Sequence, residues 1–86
     1  MVRVGYKPAF IRALKKLPPL LQREAKERIA EFKEDPTKPS FRAHKLSSEL
    51  KGVWSFSVNY SYRILFEYVD KQTVVLLTIG DHDIYK

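Results

Sequence analysis

The chain has 86 residues, 44% of them apolar and 13% aromatic, enough for one small core and a single domain. It has no cysteine and only two histidines, which excludes disulfides, thiolate chemistry and cysteine- or histidine-rich metal sites, and no apolar run approaches the ~20 residues of a membrane span. Sixteen Lys and Arg against ten Asp and Glu leave a net charge of +6, which draws nucleic acid through phosphate neutralisation, or an acidic protein partner through the same electrostatics.

Val2 to Tyr6 reads as a short strand. Met1-Val2-Arg3-Val4 runs straight into it, so no signal peptide is expected and the chain is expected in the cytoplasm. Pro8 suits the first turn of a helix, and Phe10, Leu14 and Leu17 recur at helical spacing behind it. Pro18-Pro19 stops that helix. A second helix is expected from about Pro19 to Glu34, with Leu21, Ala25, Ile29 and Phe32 as its apolar stripe. Its other face carries Arg23, Glu24, Lys26, Glu27, Arg28 and Glu31 and reads as a solvated surface with a Glu24–Arg28 pair. Asp35-Pro36 ends it.

From Pro36 to Gly52 the pattern is irregular, punctuated by proline, serine and glycine. Phe41-Arg42-Ala43-His44-Lys45-Leu46 lies within it as a short extended piece and a local basic spot.

The last third alternates. Trp54, Phe56, Val58 and Tyr60 interleave with Ser55, Ser57, Asn59 and Ser61, the period of a strand with one apolar face. Tyr62 to Val69 is the next strand, Asp70-Lys71-Gln72 a hairpin turn, and Thr73 to Ile79 a nearly all-apolar strand expected inside the sheet. The order β-α-α-β-β-β predicts an α+β domain spanning residues 1–86. A helical hairpin would pack on one face of a curled antiparallel sheet. Trp54, Phe56 and Val58 would face the helices, with Ser55, Ser57 and Asn59 on the open side.

Candidate chemistry collects on that open side. Arg63 stands on the strand after the Ser/Asn strand, His44 and Lys45 just before the sheet, and His82 and Tyr85 in the ending Asp81-His82-Asp83-Ile84-Tyr85-Lys86. Arg offers a planar fork to phosphate oxygens, His moves a proton near neutrality, and Tyr stacks on a base or donates a hydrogen bond. Glu67, on the same face of the strand, is the ordinary partner Arg63 would have. Asp81 and Asp83 beside His82 would favour imidazolium. No carboxylate cluster suited to Mg²⁺ is visible, so no metal or cofactor is expected.

Three segments in order resemble the RelE/ParE superfamily of bacterial and archaeal toxins over nearly the whole chain. His44-Lys45-Leu46, Leu50-Lys51-Gly52 and Trp54 are similar to the stretch that precedes the first central strand of these toxins. Tyr62-Arg63-Ile64-Leu65-Phe66-Glu67 looks like a characteristic strand of theirs. Ile79-Gly80-Asp81-His82-Asp83-Ile84-Tyr85 resembles the ending of the YafQ-like and RelE/StbE-like branches. The resemblance implies the RelE-like microbial-ribonuclease type of fold and a metal-independent endoribonuclease that cuts ribosome-bound mRNA by attack of the ribose 2′-OH on its own 3′-phosphate. It implies Arg63 on the scissile phosphate, His82 as general acid or base, His44 in the other proton-transfer role, and Tyr85 orienting a base or phosphate. Lys45, Lys51, Ser55, Ser57 and Asn59 would line the RNA. The partners implied are mRNA, the ribosome and a cognate antitoxin in a higher-order complex, with no membrane. RelE carries two lysines on the strand that here has Ser55 and Ser57. The alternatives are a ParE-type poison of DNA gyrase that does not cut RNA, and a degenerate toxin that only binds its antitoxin.

Overall fold

In a computed structural model, the structure describes residues 1–46 and 52–81. Strand β1 (Arg3–Tyr6) leads into helices α1 (Pro8–Lys15) and α2 (Pro19–Glu34). A 3-10 turn (Pro39–Phe41) follows, then strands β2 (His44–Lys45), β3 (Val53–Ser57), β4 (Tyr62–Asp70) and β5 (Thr73–Asp81). The five strands lie in the order β1-β5-β4-β3-β2.

The expected α+β layout holds, with two refinements. The sheet is mixed, because β1 runs parallel to β5 while every other pair is antiparallel. After β1 the chain passes through the two helices to β2 at the far edge and returns through β3 and β4, so that β5 comes to lie parallel beside β1. The extended piece at His44 is a true edge strand that pairs with Ser55 and Trp54 of β3.

Proline punctuation sets the helices. Pro8 occupies the first turn of α1 and Pro19 that of α2, where the missing N–H costs nothing. The side chain of Gln22 reaches back from α2 to donate to the Leu17 carbonyl at 2.7 Å, satisfying an acceptor beyond the end of α1. Both helices cover one face of the sheet. Phe10 and Leu14 of α1 join Ala25, Ile29 and Phe32 of α2 in a single core with Phe56, Ile64, Phe66, Val74, Leu76 and Ile79.

The core-facing set of β5 is Val74, Leu76 and Ile79, which breaks simple alternation. The cause is an irregularity in the β4–β5 register: Phe66 pairs with Leu76 but the preceding Leu65 pairs with Thr78. The extra residue on β5 flips the side chains that follow it. Ile79 thereby joins the core, and Gly80 comes opposite Arg63 on the open face.

Four fully buried phenylalanines form the centre. Phe32 and Phe56 stack at 4.2 Å, and Phe41 and Phe66 meet them at steeper angles. Phe41 is the link to the site. Its burial pins the 3-10 turn, and the next three residues run from there to His44. Trp54 lies on the helix side of the sheet as expected, half-buried at the periphery against Phe66 and Tyr68.

Candidate nucleic-acid interface

Strand pairing places Ser57 opposite Arg63, and Ser55 opposite both His44 and Leu65. Paired residues share a face, so Arg63, Ser55, Ser57 and His44 stand together on the side away from the helices. Arg63 lies along β3. Its Nε donates to Ser55 Oγ at 2.5 Å and its Nη1 to Ser57 Oγ at 2.9 Å. Its Nη2 donates to the main-chain carbonyl of Arg42 at 3.1 Å. The pairing with Glu67 considered from the sequence is not among these bonds: the guanidinium turns to the two hydroxyls instead.

This arrangement gives the serines a physical role. Both are buried, Ser55 at 0% and Ser57 at 9% exposure, and a buried hydroxyl needs a hydrogen-bond partner. The Arg63 guanidinium supplies it and is held flat in return. A lysine at either position would put a second cation against the guanidinium and repel it. In this chain the strand positions its one arginine rather than adding charge.

His44 is set by the same carbonyl. Its Nδ1 lies 2.9 Å from the Arg42 oxygen and 3.5 Å from Arg63 Nη2. A carbonyl only accepts, so Nδ1 carries the hydrogen and donates to it. In the neutral ring Nε2 then holds the lone pair, the state a base requires. Arg42 itself sits in the left-handed region at φ 48°, ψ 41°, an unfavourable conformation for a residue with a Cβ. That turn aims its carbonyl at both side chains.

A groove of about 550 Å³ opens beside this set, lined by Arg28, Arg42 and Arg63 together with Ser57, Asn59 and Tyr60. Three arginines at one groove account for much of the local basic character. Arg28 was expected on a solvated helix face beside Glu24. It is instead a strap, donating to the Ser40 carbonyl at 3.2 Å and the Ser57 carbonyl at 3.3 Å, with its guanidinium carbon 4.3 Å from the centre of the Phe41 ring. Its acidic partner is Glu31, at 2.9 Å.

Asn59 departs from its expected place on the open face. Strand β3 ends at Ser57, and Asn59 Oδ1 accepts from the Ser61 and Tyr62 amides, both at 2.8 Å, while its Nδ2 donates to Glu24 at 2.7 Å. Asparagine's affinity for turns overrides the period-2 pattern. Lys45 shares a row with Trp54 and Phe66, so it lies on the helix side of the sheet, opposite to His44. His82, Tyr85 and Lys51 lie outside the described residues. Sequence reading passed over Arg28, Arg42 and Tyr60 as site residues; only Arg42 carried a signal, as part of the basic spot before β2. Among the described residues no helix is long and apolar enough to cross a membrane.

Comparisons with known proteins agree with this architecture. Residues 19–86 match the family described as ParE-like toxin domain. The YoeB/ParE toxin from Agrobacterium tumefaciens superposes with a TM-score of 0.73 at 12% identity, over 94% of this chain and 99% of that one. YafQ from E. coli superposes with a TM-score of 0.72 at 16% identity, over 95% and 94%. The RelBE2 toxin–antitoxin complex from Mycobacterium tuberculosis contains a chain with a TM-score of 0.68 at 27% identity, over 94% and 98%. No curated protein matches by sequence.

Proposed function

We propose that this chain, which belongs to the ParE-like toxin domain family within the RelE/ParE toxin superfamily, is an endoribonuclease toxin that cleaves mRNA on the ribosome. The observation that carries the reading is the seating of Arg63. Of the five N–H groups of a guanidinium, three are engaged, by Ser55, Ser57 and the Arg42 carbonyl. Among the described residues that leaves two for an anion, at a groove shared with Arg28 and Arg42. A scissile phosphate bound there would meet a preorganised positive charge where the transition state gains negative charge.

The proposed chemistry uses His44, which lies beside Arg63, and the roles that the family resemblance implies for His82 and Tyr85. The ribose 2′-oxygen attacks the adjacent phosphorus while His44 Nε2 accepts its proton. The P–O5′ bond breaks, and the 5′-oxygen takes a proton from His82. The products are a 2′,3′-cyclic phosphate and a 5′-hydroxyl. Tyr85 orients the flanking nucleotide. Charge neutralisation is assigned to Arg63, whose guanidinium is held at the groove by Ser55, Ser57 and the Arg42 carbonyl.

The antitoxin would cover the basic groove with an acidic or amphipathic segment. It would also stabilise a small core by binding only the folded state. Several structural neighbours are toxin–antitoxin complexes, which supports such a partner. A toxin acting on ribosomes works in the cytoplasm.

The test is purified chain added to translating ribosomes, followed by primer extension on the mRNA and end-group analysis of the fragments. Cleavage leaving cyclic or 3′-phosphate ends is expected, and cleavage of free RNA, where it occurs, should survive EDTA. A gyrase supercoiling assay runs beside it, because the match to a ParE-like domain supports gyrase poisoning as the second reading. Gyrase inhibition with intact mRNA would replace the first reading by the second.

A further inference from the structure

Tyr60 stands at the tip of the β3–β4 turn with 101% of its surface exposed. Among the described residues the other exposed tyrosines rest on aromatic neighbours, Tyr6 on Phe10 and Tyr68 on Trp54. Tyr60 makes no such ring contact among the described residues. A single exposed aromatic is unremarkable in itself. Its place is what carries weight, since Tyr60 lines the same groove as Arg42 and Arg63.

The turn that presents it is firmly tied. Asn59 Oδ1 accepts from the Ser61 and Tyr62 amides and its Nδ2 donates to Glu24 of α2. The Val58 and Asn59 amides both donate to the Tyr62 carbonyl, at 2.9 and 3.4 Å. Backbone amides on both sides of Tyr60 are therefore committed, while its ring is left open to solvent. A ring held on an ordered turn loses little freedom when it binds.

We infer that Tyr60 is a base-stacking platform for single-stranded RNA, taking the nucleobase beside a phosphate held by Arg42 and Arg63. The inference rests on the RNA-cleaving reading above and adds a recognition element to it. Aromatic rings stack on any base, and arginines neutralise the backbone alongside, which is the usual economy of single-strand binding. Duplex RNA keeps its bases stacked and would not use this platform.

The experiment measures binding of the full chain to a short 2′-O-methyl single-stranded RNA, which cannot be cut, by fluorescence anisotropy. A probe of equal length without bases is measured in parallel, and thermal melts accompany each variant. Tyr60→Ala should melt like the parent and bind the base-bearing probe roughly 5- to 150-fold more weakly. Tyr60→Trp should retain binding. The baseless probe should bind the parent and Tyr60→Ala alike. Arg42→Ala should weaken both probes and lower the salt dependence by about 0.7 in slope, the signature of one lost phosphate contact on a single strand. If Tyr60→Ala binds the base-bearing probe as the parent does, the platform is wrong and the RNA reading stands. Equal weakening on both probes would assign the ring to the backbone and overturn stacking. A parent chain that binds neither probe overturns the platform, while the ribosome cleavage assay decides the RNA reading separately.

Discussion

Arg63 and His44 are held 3.5 Å apart by a shared acceptor, the main-chain carbonyl of Arg42. Arg63 Nη2 donates to it at 3.1 Å and His44 Nδ1 at 2.9 Å. The cation proposed for the phosphate and the proposed base thus have a fixed separation before any substrate arrives. Fixing reactive groups in advance removes an entropic cost from the reaction itself. The carbonyl is aimed by the left-handed turn at Arg42, and that turn follows Phe41, which is buried among Phe32 and Phe56. The aromatic core is therefore the foundation of the site.

Arg63→Ala should lower cleavage ~10²–10³-fold, comparable to removing an oxyanion donor. Stability should fall by no more than about 1 kcal/mol, because the two serine hydroxyls become open to water. Arg63→Lys should not rescue it, since an ammonium cannot span Ser55 and Ser57 as a planar fork does. Ser55→Ala combined with Ser57→Ala should lose less activity than Arg63→Ala, because the charge stays while its orientation is released. Cleavage rates beside thermal melts check all of these. Full activity in Arg63→Ala would remove the phosphate role.

His44→Ala and His82→Ala should each lower cleavage ~10²–10⁴-fold, the usual cost of removing a proton-transfer group. Cleavage rates measured beside thermal melts check both. Either variant cutting at the parental rate while melting normally would sink its assignment.

Arg42→Gly should part stability from activity. Glycine adopts the φ of 48° found there without strain. Relief of the left-handed conformation is worth roughly 1 kcal/mol, partly offset by the freer unfolded chain. The melting temperature should hold or rise while RNA binding weakens through loss of a groove cation. A large drop in stability would mean that the Arg42 side chain is structural.

Phe56→Ala should destabilise by ~3–5 kcal/mol, the cost of truncating a buried aromatic. Its ring is fully buried and stacked on Phe32 at 4.2 Å. Trp54→Ala should cost visibly less, because the indole is half-buried at the edge of the sheet. Denaturant titration of both variants decides the order, and a reversed order would show that the peripheral Trp54–Tyr68 contact outweighs the central stack.

Acid should act through the β4–β5 turn. Asp70 accepts the Gln72 amide at 2.8 Å, and hydrogen bonds from Gln72 and then Thr73 hold its carboxyl below the usual aspartate range. A lowered folded-state pKa stabilises the fold above the unfolded value, about 4, and that contribution disappears as the pH falls through the folded value. Asp70→Asn keeps the acceptor but cannot titrate. Its stability difference from the parent should be constant above about pH 5 and shrink below pH 4. A pH-independent difference would exclude this source of acid sensitivity.

Helix starts, the hairpin at Asp70 and the alternating strand at Trp54 were legible in the sequence because local chemistry decides them. Proline fixes a first turn, and a half-buried strand shows period 2 wherever it pairs. Arg63 and His44 could be singled out as candidates for the same reason, since charge and proton transfer belong to residue types, but their lying side by side could not be foreseen. The turn at Asn59 was misread because its side-chain hydrogen bonds compete with alternation, and periodicity does not register that competition. Lys45 looked like a neighbour of His44, but successive strand residues face opposite sides. Tertiary structure alone brought β1 beside β5 in parallel, placed the register break that sets Gly80 against Arg63, drew Arg28 from a helix face into the groove, and made one carbonyl serve two side chains. Most of those relations join residues far apart in the chain, up to 70 positions for Arg3 and Thr73, and what decides them is packing around Phe32, Phe41, Phe56 and Phe66, which no local pattern encodes.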